Sequence, residues 1–252
     1  MKIQIICEGS TKIDYWKKKW GLSILIDDDV LFDTFCDGDL LKNNFGKYNI
    51  DVKKIKHIII SHEHWDHTGG LWYILENNKN AKVYICSHFS DVFKKKVKEY
   101  RCELVEVTKS IPIKDNIFTS GEIEGTYKDQ SIFEQSLIIK QNNKMAVITG
   151  CSHPGILNIL TLIGLEHKEK IDLLLGGLHL MDKQKNEISE IQAILDSIYR
   201  INTIAAFHCT GRKAIAYFRK QMPLRLQKIK AGDSFIFDNE KSSWELMNRG
   251  IK

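Results

Sequence analysis

The stretch Ile58-Ile59-Ile60-Ser61-His62-Glu63-His64-Trp65-Asp66-His67-Thr68-Gly69-Gly70-Leu71 decides how this chain is read. An apolar, β-branched run, the pattern of a buried strand, opens into three histidines and an aspartate within six residues. The helical zinc motif HExxH is excluded, because its second histidine would fall at position 66, which holds Asp66. In an extended segment side chains alternate, so His62 and His64 point the same way. Asp66 and His67 follow as the chain turns toward a helix. Two such pairs suit two adjacent cations: imidazole nitrogen favours zinc and similar ions, and the carboxylate supports a harder or second ion. Gly69 and Gly70 leave room for backbone beside such a centre.

Around this stretch lies an ordinary globular composition. The chain has 252 residues, 43% hydrophobic and 27% charged, with three prolines and no low-complexity tract. That is ample for a large core, and no Pro/Gly/Ser-rich linker divides it, so residues 1–252 are expected to form a single domain. The net charge of +5 is a mild basic bias. It fits a small anionic substrate and falls short of a nucleic-acid-coating surface. Residues 1–8 lack the apolar core of a signal peptide, and no stretch nears the ~18 apolar residues of a membrane span. The six cysteines form no CxxC pair and are scattered, which suits free thiols in a reducing cytoplasm.

Periodicity gives the order of elements. Residues 3–7, 23–26 and 30–32 read as short strands, 40–47 as a helix, 55–61 as the buried strand and 69–78 as the next helix. Strands follow at 82–86, 103–107 and 117–119, with a basic helix at 88–100. Segments 137–140 and 144–149 flank Asn142-Asn143, a hairpin signal. Helices at 155–165, 187–199 and 212–220 alternate with strands at 171–175 and 203–207, and a strand pair at 226–228 and 234–238 closes the chain. The economical architecture is α/β: two packed sheets with outer helices.

His62, His64, Asp66 and His67 form the pattern HxHxDH after a strand, which resembles the signature of the metallo-β-lactamase superfamily. The resemblance implies that family's αββα sandwich of two mixed sheets. Upstream, Leu31-Phe32-Asp33-Thr34 resembles the superfamily's preceding strand, with Asp33 placed to orient a ligand. Four further motifs narrow the branch: Gly21-Leu22-Ser23, Thr149-Gly150-Cys151-Ser152-His153-Pro154-Gly155-Ile156, Gly176-Gly177-Leu178-His179-Leu180 and His208-Cys209-Thr210-Gly211. Together they look like the subgroup named after dihydropterin-ribofuranosylaminobenzene phosphate synthase, over residues 21–232.

The resemblance also implies the remaining ligands. His153, His179 and His208 each follow an apolar strand, and His208 matches the superfamily's last ligand. Commoner branches place a bridging Asp where Cys151 stands and a His shortly before that hairpin. No His occurs between His88 and His153, so His153 is taken to replace it. One cation is then expected on His62, His64 and His153, and a second on Asp66, His67 and His208. Cys151 is open between a thiolate ligand and a packing role, and Glu134 is a weaker candidate carboxylate. His179 is expected to face the substrate and stabilise charge, with Asp66 orienting the nucleophile. His57, His88 and His167 are read as structural, and Lys17-Lys18-Lys19 and Lys94-Lys95-Lys96 as solvated faces.

What the resemblance implies is a cytoplasmic hydrolase with two divalent ions, zinc first and manganese or iron as alternatives. Water activated by both ions would attack an ester, lactone or phosphoester-type bond. The alternatives are a pterin-phosphate condensing synthase of the methanopterin type, or a metal- or ligand-binding protein without turnover. No nucleic-acid partner and no membrane are expected, and nothing in the pattern sets an oligomeric state.

Overall fold

The computed structural model describes residues 1–16 and 19–247. Strand β1 (Lys2–Gly9) leads through the short helix α1 (Lys12–Trp16) to β2 (Gly21–Ile26) and β3 (Val30–Phe32). Helix α2 (Gly38–Tyr48) starts at Asp37, whose side chain accepts from the Leu40 N–H, and stops at the left-handed Asn49. Next come β4 (His57–Ile59), α3 (Trp65–Thr68), α4 (Leu71–Asn77), β5 (Lys82–Cys86), α5 (Asp91–Glu99) and β6 (Glu103–Val107). The second half begins with β7 (Ser110–Lys114), β8 (Ile117–Ser120), β9 (Ile123–Tyr127), β10 (Gln130–Glu134), β11 (Leu137–Gln141) and β12 (Lys144–Thr149). It continues through α6 (Ile156–Glu166), β13 (Lys170–Gly177), α7 (Lys185–Ser197), β14 (Thr203–Phe207) and α8 (Arg212–Gln221) to β15 (Ser234–Asp238) and β16 (Ser243–Met247).

Two mixed sheets result, as expected. One has eight strands in the order β16-β15-β1-β2-β3-β4-β5-β6; the other has six, β14-β13-β12-β11-β8-β7. Each contains a parallel block: β3-β4-β5-β6 in the first and β12-β13-β14 in the second. Period-two alternation sorts the side chains. Ile24, Phe32, Leu137, Ile139, Ile148, Leu173 and Leu175 fill a core between the sheets. Leu25, Leu31 and Ile58 face outward beneath α2, α4 and α5, and Ile138, Val147 and Leu174 face outward beneath α6, α7 and α8. In α6 the buried residues are Ile156, Ile159, Leu160 and Ile163, the stripe of a helix lying on a sheet. The layers are therefore helix, sheet, sheet, helix.

The differences from expectation have local causes. The run at 55–61 contributes only His57–Ile59 to the ladder. No strand forms at 226–228, where Leu226 makes a single bridge to Ile204. β15 instead pairs with β1 and with β16, whose Trp244 turns into the core. β7 carries Pro112, a residue that weakens a strand pattern, and β9 and β10, with few apolar residues, form a separate two-stranded ribbon. The hairpin at Asn142-Asn143 is as expected, with φ of 46° and 59°.

None of the six cysteines forms a disulfide. Lys17 and Lys18 lie outside the described residues, while Lys19 is exposed. Lys94 is not merely solvated: its Nζ is 2.6 Å from the Ser87 carbonyl and 2.8 Å from Glu106, while Lys96 lies 3.6 Å over the Trp72 ring. No helix among the described residues is long and apolar enough to cross a membrane.

Candidate metal centre

Both parallel blocks point their carboxyl ends at one edge of the sandwich, and the chemistry collects there. β3 ends at Asp33 and β4 runs out to Ser61, His62 and His64. The second sheet presents Cys151 to His153 after β12, His179 after β13 and His208 after β14. Asp33, Ser152, His179 and His208 all sit in left-handed backbone, at φ of 55°, 65°, 50° and 54°. Non-glycine residues hold that conformation only when their surroundings fix it, and these four lie together at this edge.

His62, His64 and His153 form one group, with donor atoms all within 4.8 Å of one another. Their ring centroids lie 4.6–4.9 Å apart. His62 Nδ1 sits 2.9 Å from Ser61 Oγ and its Nε2 3.0 Å from His64 Nδ1. Both ring nitrogens of His153 are buried without a hydrogen-bond partner. Burial, aided by the neighbouring imidazoles, holds His62 well below its usual range. Burial likewise brings His64 down to about 4 and His153 to about 2. At neutral pH these rings are therefore uncharged, the form that binds a metal.

Asp66, His67, Cys151 and His208 form a second group on the same 4.8 Å criterion. His67 Nδ1 is 2.6 Å from Asp33 Oδ2, and His208 Nδ1 is 3.0 Å from the Gly9 carbonyl. A carboxylate and a carbonyl only accept, so both Nδ1 atoms carry the proton and both Nε2 atoms turn to the centre. There they meet Asp66 Oδ2 at 3.3 and 3.2 Å and Cys151 Sγ at 3.4 and 3.3 Å. Burial opposes charge on His67, yet Asp66 and Asp33 outweigh it and raise its pKa well above the usual value. The same pairing holds the buried Asp66 well below the usual carboxylate range against its desolvation. The group draws positive charge to itself.

The residues present fit cations on both counts: orphaned buried imidazole nitrogens in one group, and preset Nε2 donors with a carboxylate and a sulfur in the other. Gly69 packs the turn that carries Asp66 and His67, since a Cβ there would lie 2.0 Å from the Cys36 carbonyl oxygen.

Glu134 falls outside both groups. Its buried carboxylate accepts the backbone N–H groups of Cys151, Ser152 and His153, each at 2.8 Å. Burial pushes its pKa up against the pull of these donors. It holds the loop that supplies two donors. Beside it Gln135 ties the sheets together, donating to the Ile60 and Tyr84 carbonyls at 2.9 and 3.2 Å. Asp33 acts as expected, accepting from Ser61 N and Oγ, both at 2.7 Å, as well as from His67. His179 is half-buried, its ring 4.3 Å from that of His153.

Three contributors escaped sequence reasoning. Trp20 packs on the His208 ring at 4.7 Å. Tyr127, at the tip of the β9–β10 ribbon, lies 4.7 Å from His64 and 5.1 Å from His153. His88, read as structural, stacks on Phe133 at 3.8 Å and lines a cavity of about 240 Å³ with Glu63, His64, Phe89 and Tyr127.

Comparison with known proteins gives one answer. Residues 21–110 match the family model described as the metallo-beta-lactamase superfamily. A 7,8-dihydropterin-6-methyl-4-(beta-D-ribofuranosyl)-aminobenzene-5'-phosphate synthase of Methanocaldococcus jannaschii is 28% identical over 88% of this chain and 91% of its own length. The solved structure of a metal-dependent hydrolase of the β-lactamase superfamily superposes with a TM-score of 0.77 at 26% identity, over 95% of this chain and all of that one. A metallo-beta-lactamase fold protein of Bacillus subtilis gives 0.67 at 14%, over 93% and 99%.

Proposed function

Because the chain belongs to the metallo-β-lactamase superfamily, we propose that it is a metal-dependent hydrolase acting on an ester, lactone or phosphoester-type bond of a small anionic substrate. The observation that carries this reading is the pair of complete donor groups at one sheet edge. His62, His64 and His153 would hold one cation, and Asp66, His67 and His208, with Cys151 beside them, the other. Two divalent ions, zinc first and manganese or iron as alternatives, would supply acidified water and polarise the oxygen under attack.

The chain's own residues do the rest. The Asp66 carboxylate, held ionised between His67 and His208, orients the nucleophile. His179 beside His153 stabilises the developing oxyanion or gives a proton to the leaving group. Asp33 keeps the His67 ring in one tautomer, and Glu134 keeps the loop of Cys151 and His153 in place. Tyr127 and Trp20 flank the site and limit water.

Elemental analysis combined with a screen of phosphodiester, lactone and thioester substrates, with and without chelator, tests the proposal. At least two equivalents of divalent metal and chelator-sensitive turnover are expected. Metal bound with no chelator-sensitive turnover on any class would favour a binding protein instead.

A second reading is a pterin-type condensing synthase. It is favoured by the curated relative's end-to-end match and by the aromatic walls of the 240 Å³ cavity at His64. Condensation of a pterin with a ribosylated aminobenzene phosphate, in place of hydrolysis, would select it.

A further inference from the structure

Beyond the two groups above, a third set of donors meets at the same edge. Cys151, His179 and Cys209 follow β12, β13 and β14, three neighbouring parallel strands, and their donor atoms lie within 4.8 Å of one another. Both cysteines are buried, 4% and 3% exposed, and pack with Trp20. Cys209 Sγ reaches the Cys151 carbonyl at 3.3 Å. His179 Nδ1 is buried without a hydrogen-bond partner.

The space that lets the two sulfurs approach is made by the strand between them. A Cβ at Gly177 would lie 2.5 Å from Cys209 Sγ and 3.4 Å from the Cys151 Cα. His179 is turned toward them by a left-handed backbone at φ 50°. None of this is visible in cysteine spacing, because the donors come from three separate strand ends.

We infer that Cys151, His179 and Cys209 form a further cation position for a soft, thiophilic ion such as cadmium or copper(I), sharing the Cys151 sulfur with the Asp66/His67/His208 group. Two thiolates and an imidazole are the donor set soft ions select, and the carboxylate of the neighbouring group suits harder ones. Donors on one tetrahedral ion with ~2.3 Å bonds to sulfur sit about 3.8 Å apart, so closing from 4.8 Å takes a shift of ~1 Å. An imidazole has two nitrogens, so giving one to the ion leaves the other for charge stabilisation at the substrate.

The test loads the whole protein with zinc, then titrates cadmium under reducing conditions. Bound cadmium and retained zinc are counted by elemental analysis, and the thiolate-to-cadmium charge-transfer band is followed. One cadmium is expected to enter without loss of zinc, with that band rising in step. In Cys209→Ser the extra cadmium should bind at least about tenfold more weakly, the scale of a lost metal contact. His179→Ala, which changes a half-buried side chain on another strand, should do the same if Cys209→Ser fails to fold. Cadmium entering only by displacing zinc, or equal uptake by the variants, overturns the inference. Neither outcome depends on which substrate is cleaved.

Discussion

The two donor groups at the sheet edge are built on opposite plans. His62, His64 and His153 are three neutral rings, desolvated and crowded, with both ring nitrogens of His153 lacking a hydrogen-bond partner. Asp66, His67, Cys151 and His208 are braced before any ion arrives: each imidazole is anchored through Nδ1, and charge is balanced inside the group. The first group owes its shape to the loop held by Glu134, the second to Asp33 and to the β1 terminus. The lesson is that one edge carries two donor groups of opposite character, one a braced, charge-paired frame and the other a set of desolvated imidazoles that refuse protons.

The sharpest way to break this contrast is at Asp33. Asp33→Ala leaves the Ser61 N–H and His67 Nδ1–H buried without an acceptor, and should cost about 3–5 kcal/mol in chemical unfolding, the scale of a broken buried pair. Asp33→Asn should keep the fold while weakening metal binding by about 10–100-fold, measured by competition with a chelator.

Glu134 gives a smaller, one-sided effect. Glu134→Gln places an amide against three N–H donors and should cost about 1–3 kcal/mol in thermal unfolding. Metal at the three-histidine group should weaken more than at the braced group, because the loop carries His153, one of only three donors there, whereas the braced group keeps Asp66, His67 and His208 when Cys151 moves. Equal loss at both would show that the loop does not set the difference.

The two groups should also answer pH in opposite senses in metal-free protein. His64 and His153 titrate at about 4 and about 2, below the unfolded value of 6.5. As pH falls from 6.5 toward 4, the unfolded chain takes up protons that these folded rings refuse, so they weaken the fold. His67 lies above 6.5 when folded, so its stabilisation is complete below 6.5 and fades as pH rises through its folded value. Histidine NMR titration checks this: His64 should have its midpoint near 4 while His67 stays protonated at neutral pH. A common midpoint near 6.5 would erase the distinction.

Tyr127→Ala should have the smallest effect. The ring lies on the open, half-buried side of the three-histidine group, so metal content should hold while KM rises by about 10-fold, the scale of ~1.4 kcal/mol of lost contact.

Much of the centre was legible because HxHxDH is a local pattern and because His153 and His208 stand four residues and one residue after an apolar strand. Asp33 was legible for the same reason. The role of Glu134, only a weaker candidate carboxylate in the sequence, was not legible because its partners are backbone N–H groups that no pattern displays. Gln135, Trp20 and Tyr127 matter through contacts across large sequence separations, such as Gln135 with Ile60. The same holds for the fold. Three short strands rich in β-branched and apolar residues were placed to the residue, at 82–86, 103–107 and 203–207. β16 and the β9–β10 ribbon were missed because polar residues interrupt their apolar positions.

The claim that two cation positions share this edge is tested most directly by counting metal in His153→Ala. The protein is loaded with zinc, dialysed and analysed beside the wild type. The account predicts one equivalent fewer in the variant, with the Asp66/His67/His208 position still filled. An unchanged metal count in His153→Ala would contradict it.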